Sequence, residues 1–221
     1  MRHMYIRIWT ALLMVLMVPG MAAANLGDTR DNIREQYGEY RMVYGFYNQL
    51  YTREAWEEKK LGLREGTYRH IFTRLDLPVT LDVDYESRQP DALVRQQRFV
   101  LGKAIAVKDF KKYFPEIYQA LTGPSAKTFA TKEKLSELLS DEASPVTLGV
   151  VTKQFANGDK KGYYMLVAFN IMDEGRLVKD IKYIDGNTQI TEFIIEQTTR
   201  YTVTDLLTDK GKWKAITNYF L

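Results

Sequence analysis

Residues Val146–Ile171, with the sequence VTLGVVTKQFANGDKKGYYMLVAFNI, contain two long apolar runs on either side of Asn157-Gly158. Asn-Gly accepts the positive φ that a type I′ turn requires at both central positions, so this segment predicts a β-hairpin. Centring the turn on these two residues places Val150 opposite Met165 on one face of the pleat. We expect that face to lie in the core of an antiparallel sheet.

Later turns extend the predicted sheet into an antiparallel meander of five or six strands. They lie at Asp173-Glu174-Gly175, Asp185-Gly186 and Asp209-Lys210-Gly211. Centring the second turn pairs Glu192 with Lys179 and Ile190 with Ile181, so that charged residues meet charged residues and apolar residues meet apolar residues. We therefore predict an α+β fold, in which antiparallel β-meander sheets carry helices packed on one face.

The first residues have the pattern of a secretory signal peptide. Arg2 and Arg7 precede the apolar run Ile8–Val18, and Pro19 and an Ala22-Ala23-Ala24 site follow it. A membrane anchor is the alternative, but a transmembrane helix needs ~20 apolar residues. We expect residues 1–24 to be a signal peptide cleaved after Ala24, which makes the mature protein extracytoplasmic, either periplasmic or secreted, with no further transmembrane segment.

Composition excludes several classes of function. The chain has no cysteine and two histidines, and His3 leaves with the signal peptide, so His70 remains alone. A lone histidine without a thiol is incompatible with Cys/His nucleophile pairs and with the usual zinc ligand sets. We read His70 as a strand residue used for packing or hydrogen bonding. Removing Arg2 and Arg7 leaves 29 basic and 28 acidic side chains. This nearly neutral balance does not predict the strongly basic surface that nucleic-acid binding needs. No motif indicates a metal or a cofactor.

The chain is predicted to have two domains. A change of composition at Gly123-Pro124-Ser125 suggests a boundary there, between an N-terminal α+β domain at 25–122 and a C-terminal domain at 125–221. In the first domain, Thr52 is predicted to cap a short helix with Trp56 as its buried residue. The second is predicted to begin with a helix over Thr131–Ser140 and to continue as the meander.

The sequence of the mature N-terminus predicts a short helix, and the spacing of its residues resembles a known helix motif. Asp28 or Thr29 can cap it and Gly38 supplies a left-handed stop. Together with Gly27, Ile33 and Tyr37, Thr29 and Gly38 have the spacing G-x-T-x-x-x-[VI]-x-x-x-[LFY]-G. This resembles the helix motif of small exported domains such as outer-membrane assembly lipoproteins and the β-lactamase-inhibitor protein. The resemblance implies a small α/β fold that binds other proteins and catalyses nothing.

The tyrosine-rich segment Tyr40–Thr52 is the first candidate binding surface. Its tyrosines fit helical spacing as well as strand spacing, but the glycines Gly38 and Gly45 and the many aromatics favour a hairpin turning near Tyr47-Asn48. An exposed row of tyrosines would suit a contact with a protein or a sugar. The alternative is that they cover the edge of the core. The candidate binding residues are Tyr40, Tyr44, Tyr47 and Tyr51.

A row of carboxylates is the second candidate site. The predicted strand Val79–Glu86 places Asp82, Asp84 and Glu86 on its polar face, ~6.5–7 Å apart along the strand. Such neighbours could bracket a glycosidic bond or share a calcium ion. The alternative that we favour is a solvated face opposed by arginines of the next strand, such as Arg95 and Arg98.

These patterns together favour a binding protein over an enzyme. We expect an exported, non-enzymatic module of the bacterial cell envelope whose partner is another protein or envelope component, with no cofactor and no nucleic acid. One alternative is a secreted glycan hydrolase that acts through Asp82 and Asp84. Another is a small-ligand carrier with an apolar pocket near Tyr164, Phe193 and Trp213.

Overall fold

A computed structural model describes residues 26–131, 147–154, 163–173, 176–177 and 185–198. The helices are α1 (Arg30–Tyr37), α2 (Arg53–Glu57), α3 (Phe110–Tyr113) and α4 (Pro115–Leu121). The strands of the first half are β1 (Met42–Tyr44), β2 (Leu50–Thr52), β3 (Thr67–Arg74), β4 (Leu77–Tyr85) and β5 (Val94–Ala106). Those of the second half are β6 (Lys127–Thr131), β7 (Thr147–Gln154), β8 (Tyr163–Asp173), β9 (Arg176–Leu177) and β10 (Gln189–Thr198).

All ten described strands belong to one antiparallel sheet. Its order is β2-β1-β3-β4-β5-β10-β8-β7-β6, and β9 pairs with β8 outside this path. The predicted α+β class with an antiparallel sheet is confirmed. Thr131, which was predicted to begin a helix, is instead the last residue of β6, and the rest of that predicted helix, 132–140, lies outside the described residues. The turn predicted at Asp209-Lys210-Gly211 and the predicted signal peptide also lie outside them.

The hairpin formed by β7 and β8 has the predicted faces but a different register. Val150 lies opposite Val167, and Met165 lies opposite Thr152, so the predicted pairing of Val150 with Met165 is wrong by two residues. A shift of two residues leaves every side chain on its original face, because strand side chains alternate with a period of two. The predicted core face is therefore correct, and Val150, Met165 and Val167 are buried. The Asn157-Gly158 turn lies outside the described residues.

Strand β10 corrects the predicted meander. It lies between β5 and β8, with Ile190 opposite Ile105 on one side and Ile171 on the other. Glu192 has Val100 and Asn170 as its neighbours, so both edges of β10 are occupied. The predicted pairing of Glu192 with Lys179 and of Ile190 with Ile181 is therefore wrong. Among the described strands of this half, β6, β7, β8 and β9 pair with one another in chain order.

The sheet also runs through both predicted domains. β5, from the first predicted domain, pairs with β10, from the second, over most of its length. One cluster of buried apolar residues includes members of both halves. The predicted boundary at Gly123-Pro124-Ser125 lies in the connection from α4 to β6, which is a strand of the same sheet.

One side of the sheet, here called the apolar face, has an aromatic core. Phe99 of β5 stacks on Phe193 of β10 with ring centres 4.6 Å apart. Phe114, between α3 and α4, contacts both rings, at 5.7 Å and 5.0 Å respectively. Phe99 also contacts Tyr37 of α1, at 6.2 Å. These edge-to-face and stacked contacts are the geometries that aromatic quadrupoles favour.

The first two short helices begin where the sequence predicts, and α1 also ends there. Thr29 caps α1 in a capping box with Asn32, and Gly38 ends it at φ 79°. Thr52 caps α2, in which Trp56 is buried. Pro115 begins α4, where its missing N–H donor costs nothing. The predicted caps of α1 and α2 and the stop at Gly38 are confirmed because each depends on local backbone chemistry.

The strand predicted to begin at Val79 begins two residues earlier, at Leu77. The turn before it lies at Leu75-Asp76, and Pro78 is inside β4, opposite Thr73. Leu75 has a φ of 56°, which provides the turn. Pro78 is exposed on its side of the strand pair, so the strand accepts it.

The opposite side of the sheet, here called the polar face, is also partly buried. Buried polar side chains occupy it on β4, β5, β10 and β8, namely Asp82, Gln96, Glu192 and Asn170. A small buried apolar pair, Ala168 and Ile194, lies among them. The sheet therefore separates an aromatic core from a face that carries buried charge.

Candidate functional site

The hairpin β1–β2 turns at Tyr47-Asn48, as the sequence predicts. Tyr47 has φ 58° and ψ 29°, and Asn48 has φ 58°. The N–H of Gln49 donates to the carbonyl of Phe46 at 3.2 Å, and the N–H of Gly45 donates to the carbonyl of Gln49 at 2.9 Å. Positive φ at both central residues is the geometry of a type I′ turn, which matches the twist of the strands.

Three large apolar side chains are exposed on this hairpin. Tyr47 is fully exposed, Phe46 is 52% exposed and Leu50 is 47% exposed. We call Phe46, Tyr47 and Leu50 the tip patch. The hairpin lies at one edge of the sheet, because β2 is the last strand on that side. Large apolar side chains exposed on one short hairpin make it a candidate contact surface.

The tip patch stands on a tightly packed base. Trp56 of α2 is buried against Gly45 and Gly66, where an added Cβ would lie 2.5 Å and 2.8 Å from its ring. The indole Nε1–H of Trp56 donates to the hydroxyl of Tyr68 at 3.2 Å. The ring of Tyr51 lies 5.4 Å from the ring of Trp56. The hairpin is therefore anchored to β3 through the tryptophan.

The four predicted binding tyrosines have different environments. Tyr40 is only 3% exposed, and its hydroxyl donates to Glu57 Oε1 at 2.9 Å. Burial, followed by this hydrogen bond, raises the pKa of Tyr40 to about 12. The expectation of an exposed Tyr40 is wrong, because its ring packs edge-to-face on Tyr68 at 5.1 Å. Tyr40 therefore covers the edge of the core, which was the alternative interpretation of this segment.

The other three tyrosines remain at the surface to different degrees. Tyr44 is half-buried on the polar face, where its hydroxyl accepts from Arg69 Nη1 at 2.6 Å. Tyr51 is half-buried, and its hydroxyl donates to Gln49 Oε1 at 2.5 Å. Tyr47 alone of the four is fully exposed. The structure therefore does not bring the four together as one exposed row.

Sequence reasoning missed Phe46 and Leu50. The interpretation followed tyrosines alone, and it did not consider which apolar residues would flank the turn. Once the turn is placed at Tyr47-Asn48, Phe46 is the residue before it and Leu50 begins the outer strand. The turn position was therefore a sufficient signal for both.

The carboxylate row is held by cations of neighbouring strands. Asp82 accepts from Arg69 Nε and Nη2, both at 2.7 Å, and Arg98 Nη1 lies 3.9 Å from its Oδ2. Asp82 is buried, so the favoured interpretation is correct about the opposing arginines and wrong about a solvated face. Bidentate pairing fixes both carboxylate oxygens of Asp82 toward a guanidinium.

The other two members of the row have separate surroundings. Asp84 Oδ1 accepts from the Thr67 hydroxyl at 2.6 Å, and burial raises the pKa of this carboxyl. Arg95 lies 4.0 Å from Asp84 Oδ2. Glu86 lies beyond the end of β4 and is exposed. Among the residues placed by the structure, no three His, Cys, Asp or Glu side chains come together as a metal site.

The predicted carrier pocket is not assembled from the residues proposed for it. Tyr164 lies opposite Thr198 and shares a face with Ile194, whereas Phe193 points to the other face. A single pocket on one face of the sheet cannot contain both side chains. Trp213 lies outside the described residues.

His70 serves packing and hydrogen bonding, as predicted. Its Nδ1 lies 2.8 Å from the carbonyl oxygen of Gly38, and its ring is 6.3 Å from that of Tyr40. Burial lowers the pKa of His70. The histidine thereby ties the C-terminal end of α1 to β3.

Comparisons of the chain with protein-family models, curated proteins and solved structures find no match. The resemblance of Gly27–Gly38 to the helix motif of outer-membrane assembly lipoproteins and the β-lactamase-inhibitor protein therefore stays a prediction. Within the described ranges, no helix has the length and apolar character needed to cross a bilayer.

Proposed function

We propose that this protein is an exported, non-enzymatic module that binds another protein of the cell envelope through the tip patch. The observation that carries the proposal is Tyr47, a fully exposed tyrosine at a φ of 58°. A non-glycine residue in the left-handed region costs ~1–2 kcal/mol. The type I′ turn requires the left-handed φ but does not require an aromatic side chain, so a fully solvated tyrosine ring at this position supports a surface kept for recognition.

The composition of the tip patch supports a protein partner. Aromatic side chains dominate the energetics of protein interfaces because they cover a large area with only two side-chain torsions to fix. Phe46 and Leu50 are close to Tyr47 in the chain, and all three side chains expose apolar area on the same hairpin. Leu75 is also exposed at positive φ, but no aromatic residue adjoins it in the chain.

The base of the hairpin supports tight binding by a rigid surface. Trp56 contacts Gly45, Gly66 and Tyr68, which fixes the strands below the turn. A surface that is ordered before binding loses less conformational entropy when it meets its partner. The arrangement therefore favours recognition with little rearrangement of the hairpin.

The non-enzymatic part of the proposal draws on the carboxylates. Asp82 is directed at Arg69 and Arg98, and this pairing leaves Asp82 poorly suited to act as a nucleophile or base.

Export is proposed from the basic start, the apolar run Ile8–Val18 and the site at Ala24. We further propose that the helices as a set cover the apolar face, so that the partner meets the sheet edge.

Substitution of the tip patch tests the proposal. The triple variant Phe46→Ser, Tyr47→Ser, Leu50→Ser and wild type are used as bait in envelope extract from the native cells, and bound proteins are quantified. Leu75→Ser is the matched control, because Leu75 is equally apolar, is 67% exposed and has positive φ. We expect one partner to be lost from the triple variant and retained by the control. Equal capture by all three baits would reject the tip patch.

A further inference from the structure

Strand β2 has an unpaired side. In the part of the sheet that the structure describes, β2 is the last strand at one edge and pairs with β1 alone. Tyr51 lies opposite Val43, and Leu50 lies opposite Tyr44. Each residue of an edge strand directs its backbone N–H and C=O either toward its neighbour or outward. The outward groups of β2 decide what this edge can bind.

The hydrogen bonds at the turn show which groups of β2 point outward. The N–H of Gly45 donates to the carbonyl of Gln49 at 2.9 Å, so Gln49 faces β1. Residues that face the neighbour alternate with residues that face away along an antiparallel pair, so Tyr51 is the next residue of β2 to face β1. The N–H and C=O of Leu50 and the N–H of Thr52 consequently point away from β1.

These outward groups lie on an exposed segment. Leu50 is 47% exposed and Thr52 is also exposed. Within the described residues, the backbone of Leu50 makes no hydrogen bond outside the pairing of β1 with β2. The segment Gln49–Thr52 contains neither a charged residue nor a proline, which are devices that proteins use to protect an edge against pairing. The edge can therefore accept a strand, although its three residues keep the contact short.

The outward backbone groups favour an extended chain as their occupant. Another strand presents N–H donors and C=O acceptors with the same alternation and at the same spacing. Leu50 can exchange two hydrogen bonds with one residue of an antiparallel strand, and the N–H of Thr52 can donate a third. Addition of a strand to an exposed sheet edge is a recurring way in which proteins bind extended segments.

We infer that the protein partner docks an extended segment beside β2 and continues the sheet by one strand. The inference rests on the proposed function, because the tip patch places the same partner at this edge. Leu50 belongs to both surfaces, since its side chain is part of the tip patch and its backbone forms the open edge. The tip patch supplies apolar contact area, and the backbone of β2 sets the direction of the bound segment.

A proline at position 50 tests the role of the backbone. It removes the outward N–H of Leu50 and leaves the pairing of β1 with β2 intact, as edge strands allow. Gln49 has φ −69° and ψ 128°, the extended conformation that proline requires of the residue before it. Leu50→Ala is the matched control, because it also loses the leucine side chain but keeps the N–H. In envelope extract from the native cells, we expect Leu50→Pro to capture the partner about tenfold more weakly than Leu50→Ala.

Hydrogen exchange of the wild-type protein is a second test, and it decides the matter even if Leu50→Pro does not fold. The free protein and its complex isolated from the extract are compared at single amides. We expect the amide of Leu50 to exchange rapidly in the free protein and at least about tenfold more slowly in the complex. The amide of Tyr51, which faces β1, is the internal reference and is expected to be protected in both.

The outcomes separate this inference from the proposed function. Equal capture by folded Leu50→Pro and Leu50→Ala, or an unprotected Leu50 amide in the complex, would overturn strand addition. The tip patch would still stand if its triple serine variant lost the partner. No partner for the wild type would reject both proposals. A wild-type dimer in sedimentation that Leu50→Pro abolishes would mean that a second copy occupies the edge, which also overturns the inference.

Discussion

Tyr47 combines a strained backbone with a side chain that the fold does not use. Glycine tolerates a φ of 58° without the steric cost of a Cβ, although it also increases the entropy of the unfolded chain. We therefore expect Tyr47→Gly to raise the free energy of unfolding by about 0.5–1 kcal/mol and to abolish partner binding. Urea denaturation measures the first effect. A less stable Tyr47→Gly would show that the ring or the turn serves the fold instead.

Asp82 is the carboxylate whose loss the fold tolerates least. Asp82→Ala leaves Arg69 and Arg98 without their shared partner on a partly buried face, and breaking such a pair costs about 3 kcal/mol. Asp31→Ala is the control, because its ion pair with Arg34 is exposed and is worth under about 1 kcal/mol. Chemical denaturation compares the two variants. Equal losses would mean that the Asp82 pair contributes no more than a surface pair.

The stability of the fold depends on pH through His70. Burial lowers its pKa in the folded state, although the Gly38 carbonyl and Glu39 oppose this shift. The unfolded chain therefore binds a proton more readily, with a pKa of about 6.5. Stability from this group is present above that pH and is lost as pH falls through the folded pKa.

The NMR signal of His70 checks this expectation. Only His3 and His70 occur in the sequence, so the ring signals are simple to assign. We expect the midpoint for His70 to lie below 6.5 and the free energy of unfolding to decrease with acid in the same range. His70→Gln should lose part of that dependence. A midpoint above 6.5 would contradict the buried, neutral imidazole.

Among the elements, α2 and the hairpin β1–β2 depend on two glycines. A Cβ at Gly45 or Gly66 would collide with the Trp56 ring, and at Gly66 also with Val43. Because the obstacles are buried, each alanine substitution is expected to cost about 1–3 kcal/mol. Gly123→Ala is the control, since its nearest atom would be 3.5 Å away. Calorimetric melting of the three variants tests the anchor, and unchanged melting of Gly45→Ala and Gly66→Ala would contradict it.

Elements governed by local chemistry could be predicted from the sequence. The caps at Thr29 and Thr52, the stop at Gly38 and the turn at Tyr47-Asn48 each depend on a few adjacent residues. The β7–β8 register was wrong by two residues, because alternation fixes the face of a strand but not its position along the partner. Alternation alone cannot distinguish registers that differ by two.

At the scale of the molecule, the position of β10 could not be predicted. The alternating apolar residues of β10 would fit beside any strand that has an apolar face. A turn at Asp185-Gly186 favours pairing of β10 with the strand that precedes it in the sequence. In the structure, β10 instead joins β5 to β8, and Arg98 and Glu192 form an ion pair across 94 positions in the chain. Charge complementarity of that pair is a non-local signal that a single sequence does not reveal.

The candidate site was predictable only in part for the same reason. The hairpin turn identifies Tyr47, but the burial of Tyr40 depends on contacts with Tyr68 and Glu57, which are distant in the chain. Asp82 was visible in the sequence as part of a carboxylate row. Its engagement by Arg69 and Arg98 required the order of β3, β4 and β5, which the structure provides.

The central claim is that the exposed ring of Tyr47 contacts a protein partner. Photo-crosslinking in the native cells tests it most directly, with a benzophenone amino acid placed at position 47 in one variant and at the exposed position 89 in another. We predict one discrete covalent adduct of higher mass from position 47 and none of that mass from position 89. No adduct from position 47, or the same adduct from both positions, would contradict the account.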